Sequence, residues 1–233
     1  MKYLIADIVV EFEPKYDELK HFAKQFEYLG GRQVDIRLSV SDATLEKRFP
    51  QMVSGTIGDL ESFLLSSQFN RAAVKFNTML VHSSALVYNG GAYLFSARSG
   101  VGKSTHTKLW LKAFGDKVHI LNDDKPVVRM YDDKAVVYGT PFDGASGIAL
   151  NESAPLKAIV FVERGEENSV RIPSATEVLQ KLYFQTARKL NREAAADMLA
   201  NFEKLLGLTK FYVLTCNMDI SAAYTAFDAI TEK

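Results

Sequence analysis

The chain has 233 residues, 47% of them hydrophobic and 24% charged, a balance that fits one globular domain with room for a small appendage. Its 28 basic and 28 acidic residues cancel, so no overall field draws it to nucleic acid or to a membrane surface. A lone cysteine, Cys216, excludes an internal disulfide. The absence of a leader pattern, and of any apolar run near the roughly 20 residues that span a bilayer, predicts a cytoplasmic protein.

Residues 2 to 12, KYLIADIVVEF, are rich in aliphatic and β-branched types and predict a strand ended by Pro14. YDELKHFAKQFEYL spaces its apolar residues helically and stops at Gly30 and Gly31. RQVDIRLSV alternates like a half-buried strand, and a long helical pattern runs from Leu60 to Leu80. These elements predict a small N-terminal α+β lobe over residues 1 to 78, leaving 79 to 233 as the second domain. There VHSSALVY and AYLFSA are strand-like, and the NGG between them signals a hairpin that turns at Asn89-Gly90 or Gly90-Gly91. KLWLKAF is an amphipathic helix closed by Gly115, and KVHIL is a short buried strand running into NDDKPVV. VVRM and AVVYGT flank YDDK as a second hairpin, and PLKAIVFVE is a strand. Residues 175 to 207 read as two helices broken near Asn191, KFYVLTC as a last strand and SAAYTAFDAI as a closing helix. Helices and hairpins together predict an α/β fold on a mixed sheet.

Between AYLFSA and KLWLKAF lies SARSGVGKST, residues 96 to 105. A glycine-rich turn from strand to helix frees backbone N–H groups to surround phosphate, and the helix dipole adds positive potential. Arg98, Ser99, Gly100, Val101, Gly102, Lys103, Ser104 and Thr105 are therefore candidate nucleotide-binding residues. Lys103 would reach the β- and γ-phosphates and Ser104 would hold Mg²⁺. Ala97 stands where the usual pattern has its first glycine, at the strand exit, where extended backbone suffices.

The upstream hairpin places His82 opposite residues 97 to 99, beside the start of this loop. At the end of the next strand stand Asp123 and Asp124, where a Mg²⁺-binding carboxylate is expected. Adjacent strand residues point to opposite sides, so one carboxylate would face metal and the other would be free to take a proton from an attacking hydroxyl. Asp132 and Asp133, at a hairpin tip, are turn residues.

In this order of His82, SGVGKST at 99 to 105 and the Asp123-Asp124 pair, continued by YGTPFDG at 138 to 144 and APLKAIVFVERG at 154 to 165, the sequence resembles the kinase domain of HPr kinase/phosphorylase. That fold is shared with phosphoenolpyruvate carboxykinases. The resemblance covers roughly residues 80 to 230. It implies an ATP- and Mg²⁺-dependent kinase in which Lys103 and Ser104 bind phosphate and metal, and Asp123 and Asp124 divide metal binding and general-base duty between them. Asp123 is set beside Ser104 as a metal ligand, the division itself staying open, and His82 tunes the pair. The glycine-rich signature that HPr kinases use for their protein partner is missing from TPFDGASGIALN, and the N-terminal lobe differs from their regulatory domain. The chain is more similar to stand-alone HPr-kinase-like proteins associated with modified-peptide biosynthesis. The implied acceptor is a serine- or threonine-type hydroxyl on a peptide, a protein or a small molecule. Family members often form hexamers, so the resemblance allows a homo-oligomer.

Two further residues are weighed as substrate contacts. Asp143, among glycines, suits a loop approaching substrate as well as it suits a surface turn. Arg164 is placed to charge-stabilise a transferring phosphoryl group or to serve as an ordinary strand-end charge. Cys216, in an apolar strand, reads as a small buried hydrophobe. Against the kinase stand a nucleotide hydrolase, for which no guanine-specificity motif or water-orienting glutamine is found, and a non-catalytic nucleotide-binding regulatory module, which Ala97 keeps open.

Overall fold

The chain opens with a hairpin where the sequence predicts a single strand. In the computed structural model, which describes residues 1–142, 147–186 and 190–231, β1 (Lys2–Ile5) and β2 (Ile8–Glu11) pair antiparallel. They turn at Ala6 and Asp7, both in the left-handed region at φ 51° and 59°. Aspartate tolerates that region, but Ala6 does not announce such a turn. It is held from outside: Arg129 Nη1 donates to the Ala6 carbonyl at 2.6 Å, and the Tyr131 and Tyr138 hydroxyls each donate to the Asp7 carboxylate at 2.8 Å. RQVDIRLSV contributes only the two-residue β3 (Ile36–Arg37), which completes a three-stranded sheet β1-β2-β3.

Helices α1 (Asp17–Ala23), α2 (Asp42–Arg48) and α3 (Ile57–Ala73) follow. Thr56 and Asp59 form a reciprocal capping box at the start of α3. The helical pattern predicted through Leu80 stops earlier. Asn77 turns left-handed at φ 55°, and β4 (Thr78–Leu80) leaves to pair with a later strand. Deep on α3, the carboxylate of Glu61 accepts from the backbone N–H groups of Lys15 and Tyr16, and burial raises its pKa.

The remaining strands of the large sheet are β5 (Ser83–Tyr88), β6 (Gly91–Ser96), β7 (Val118–Asp124), β8 (Val127–Met130), β9 (Ala135–Tyr138), β10 (Ser153–Arg164), β11 (Ser169–Arg171) and β12 (Lys210–Cys216). Its path runs β4-β8-β9-β10-β6-β5-β7, with β12 lying along the second half of β10 and β11 pairing with β12. β10 is parallel to β6 and β12, and the other pairs are antiparallel, so the sheet is mixed, as the hairpins predict. The first hairpin turns at Asn89-Gly90, both at positive φ. Helices α4 (Lys103–Phe114), α5 (Ala175–Gln185), α6 (Arg192–Leu208) and α7 (Ser221–Thr231) complete the chain. The break between α5 and α6 has its reason at Asn191, whose side chain caps α6 by accepting from the Ala194 N–H.

The N-terminal segment does not close its own core. Phe142 and Val127 from the large-sheet region are buried among Phe12, Leu65 and Phe69. No helix among the described residues is long and apolar enough to cross a membrane.

Candidate active site

β6 ends at Ser96, and the chain crosses a glycine-rich loop into α4. Gly100 and Gly102 take φ of 79° and 125°, conformations that L side chains rarely adopt, and Gly102 caps the helix. Ala97 needs no such freedom. It is not at positive φ, and its methyl group is buried in a cluster that includes Phe95 and Cys216. Arg98, Ser99 and Gly100 are exposed, Val101 packs on the core beneath, and Thr105 faces outward from the first turn of α4. Arg164, at the end of β10, reaches back under the loop and donates to the carbonyls of Val101, at 3.0 Å, and Gly100. It is thus a loop brace with its guanidinium committed to backbone. Asp143 lies outside the described residues.

α4 is seated from below. Trp110 Nε1 donates to His106 Nε2 at 3.0 Å, and burial pushes the pKa of His106 down to about 4, keeping the ring neutral. Cys216 lies 4.0 Å from the other ring nitrogen, buried with its thiol pushed up to about 11, as suits a packing residue.

β5 runs between β6 and β7, and its register sets the site. Ser83 pairs with Ser96 on one side and with Asp124 on the other. His82, one residue before, therefore stands level with Ala97, and the Ser96 hydroxyl donates to its carbonyl at 2.8 Å. A register shift across Ala85 and Leu86 puts an extra β7 residue, Leu121, before Asn122. Beyond Asn122 the chain near Ile148 lies along the outer edge of β7, its carbonyl accepting from the Asp123 N–H at 3.2 Å.

The two aspartates do not point to opposite sides as expected. Lys103 Nζ lies 3.2 Å from Asp123 Oδ1 and 4.0 Å from Asp124 Oδ1. The cause is local: Asp124 has φ 137°, which breaks the strand alternation and swings its carboxylate toward the loop. Such a conformation costs about 1–3 kcal/mol in a non-glycine residue and persists only when neighbours over-determine it. The neighbours are His82, whose Nε2 is 3.0 Å from Oδ1, and Lys125, whose Nζ is 3.5 Å from Oδ2.

Burial pushes the Asp124 carboxyl up, but the hydrogen bond from His82 and the charges of Lys125 and Lys103 outweigh it and hold the pKa at about 2. Asp123 is more deeply buried and accepts from Ser104 Oγ at 3.2 Å, on the same oxygen that Lys103 approaches.

Two partners were not legible in the sequence. Gln185, at the end of α5, accepts the His82 N–H at its carbonyl (2.8 Å) and meets His82 Nδ1 with its side-chain amide at 2.9 Å. Lys125 directly follows the aspartates, and its ammonium sits 5.8 Å over the ring of Phe63 from α3. Nothing in the spacing of either residue pairs it with the loop.

The cluster opens on a cavity of about 1400 Å³. His82, Arg98, Ser99, Asp124 and Lys125 line one side, and residues of α2 and α3 line another. Asp123 is not on that surface. The carboxylate that faces the cavity is therefore Asp124, and the one that faces Ser104 is Asp123.

The residues fit a magnesium ion shared with phosphates. Ser104 and Asp123 offer hard oxygen donors close together, and Mg²⁺ in such sites takes only one or two protein oxygens and keeps phosphate oxygens and water for the rest. A dedicated all-protein cage is not present among the described residues, where no cluster of three or more His, Cys, Asp or Glu is found.

No protein-family model matches the chain, and no curated protein does. Among solved structures, an Hpr(Ser) kinase/phosphatase from Coxiella burnetii aligns at 11% identity over 40% of this chain and 70% of that one, with a TM-score of 0.30. A likeness of that size carries no chemistry across. The described residues define a mixed α/β protein with a large mixed sheet and a separate three-stranded sheet.

Proposed function

We propose that this protein is a kinase that transfers the γ-phosphoryl group of ATP, with Mg²⁺, to a hydroxyl of a peptide, protein or small molecule. The observation that carries the reading is the convergence of Lys103, Ser104, Asp123, Asp124 and His82 at one loop–helix junction, beside a cavity with room for an acceptor. The loop N–H groups and the first turn of α4 hold phosphate, and Lys103 leaves the aspartates for the β- and γ-phosphate oxygens. Ser104 and Asp123 hold the metal, which supplies charge neutralisation at the transferring group. Asp124 accepts the acceptor's proton as its oxygen bonds to the γ-phosphorus and the bond to the ADP oxygen breaks. Two changes on nucleotide binding make Asp124 a stronger base: it loses the nearby Lys103 charge and gains a phosphate anion as neighbour. His82 stays hydrogen-bonded to its carboxylate and orients it, held in turn by Gln185.

The test is incubation with Mg²⁺, γ-labelled ATP and a peptide and metabolite extract from the source organism, with Asp124→Asn alongside. Label on an acid-stable hydroxyl ester, absent with the variant, is the expected result. Label released only as inorganic phosphate would make the protein a hydrolase. ATP binding without turnover would make it a regulatory module.

A further inference from the structure

The cavity beside the aspartates has a charge pattern that says what it takes. Its lining contains four cations, Arg48, Arg71, Arg98 and Lys125, and one carboxylate, Asp124. Two of the four are engaged at the loop side: Lys125 with Asp124 and the Phe63 ring, Arg98 stacked 5.6 Å over Phe184. The other two come from the N-terminal helices. Arg48 ends α2 and Arg71 lies in the last turn of α3. Both are exposed, and neither has an ion-pair partner among the described residues; Arg71 donates only to Ser67, at 2.9 Å. The cavity, at about 1400 Å³, is also larger than the roughly 300–1,000 Å³ that one small ligand fills. A triphosphate on the loop leaves room beside it.

Resting on the kinase reading above, the geometry points to an anionic acceptor: a hydroxyl compound that also carries a carboxylate or phosphate group, held by Arg48 and Arg71 while its hydroxyl meets Asp124. An acceptor with no charge would leave two unpaired guanidinium groups facing it. Arginine is also the side chain best shaped for carboxylate and phosphate oxygens, which it can grip in pairs. The N-terminal helices then supply acceptor recognition, and the large sheet supplies phosphoryl transfer.

The experiment uses the full chain saturated with Mg²⁺ and a non-hydrolysable ATP analogue, whose own affinity is measured first. Calorimetry then compares ligands paired by charge: N-acetylserine against N-acetylserinamide, and glycerol 3-phosphate against glycerol. The charged member of at least one pair should bind roughly tenfold to a hundredfold more tightly than its neutral twin. That preference should vanish in Arg48→Ala/Arg71→Ala and reverse to exclusion in Arg71→Glu, with the affinity for the ATP analogue unchanged in both. Which pair discriminates decides between carboxylate and phosphate. Equal binding within both pairs, including no binding of either member, overturns the proposal. So does loss of nucleotide affinity in the arginine variants, which would assign these cations to ATP. Failure of the wild-type protein to bind the analogue would instead sink the kinase reading itself, and the initial titration separates the two.

Discussion

Two aspartates in this molecule share an unusual backbone conformation and a depressed carboxyl, yet sit in different surroundings, Asp7 exposed and Asp124 largely buried. Asp7 and Asp124 are both non-glycine residues at positive φ. Burial pushes each carboxyl up, and partners more than compensate, leaving both below the ordinary carboxylate range. At Asp7 the partners are the Tyr138 and Tyr131 hydroxyls and the charges of Arg129 and Arg32. The two hydroxyl oxygens also lie 2.7 Å apart, so their two protons are shared among three contacts, and Arg129 holds the preceding carbonyl; apart from Arg32, which comes from the N-terminal segment itself, these groups fasten the N-terminal hairpin to the β8–β9 hairpin. At Asp124 the partners are His82, Lys125 and Lys103, and Lys103 is shared with Asp123 on a glycine loop that faces a cavity. A depressed carboxyl alone therefore marks nothing. What distinguishes a site is a partner able to move to something else, and an open face through which that something arrives.

Asparagine at the two positions should separate these roles, and the larger effect belongs to Asp124→Asn. Removing a base in contact with the acceptor proton should lower phosphoryl transfer by roughly 10²- to 10⁴-fold. Affinity for Mg²⁺ and ATP, read by calorimetry, should be equal or tighter, since a carboxylate near the γ-phosphate has been neutralised. A variant that loses nucleotide affinity in step with activity would mean that Asp124 is a metal ligand, and the roles of the two aspartates would exchange.

The next effect sharpens the same comparison through His82. Gln185→Leu removes the side-chain contact to Nδ1 but leaves the backbone bond from the His82 N–H to the Gln185 carbonyl, so the fold has no reason to fail. A positioning role predicts a fall in kcat of about tenfold with the KM for ATP unchanged, in line with one lost hydrogen bond to a working group.

Why Gln185 escapes a reading of the sequence while His82 does not is a matter of contact distance along the chain. Asn89-Gly90 fixes a short-range hairpin register, and that register alone sets His82 level with Ala97. The glycine loop, its helix and the aspartates at a strand end are likewise short-range patterns. Gln185 meets His82 across 103 positions, and Arg48 and Arg71 reach the cavity through packing of the N-terminal helices on the sheet, so no period or spacing encodes them. The two errors of geometry have the same origin. Ala6 is a poor residue for the left-handed turn that Arg129, Tyr131 and Tyr138 hold. Asp124 leaves strand alternation because His82 and Lys125 hold it out. Local propensity is overruled where distant side chains supply the missing energy.

The smallest effect tests that overruling at its other instance. Asp7→Asn should leave phosphoryl transfer unchanged within about twofold, because no residue of the seam lines the cavity. It should cost about 1 kcal/mol of stability, the value of a charge-assisted hydrogen bond at an exposed position after solvent screening. The sign with pH follows from the direction of the shift. A carboxyl held below its unfolded value of 3.8 stabilises the folded chain above that pH, and the contribution is lost as pH falls through the lower folded value. Urea unfolding of the wild-type and Asp7→Asn proteins should therefore differ most near pH 6 and converge below about pH 4. Tyr138→Phe should narrow the gap from the other side, removing one of the two donors while sparing Tyr131. A gap that stays constant down to acid pH would show that the carboxylate charge contributes nothing, and that the left-handed turn is held by the contacts of Arg129 and Arg32 to the backbone carbonyls of Ala6 and Asp7.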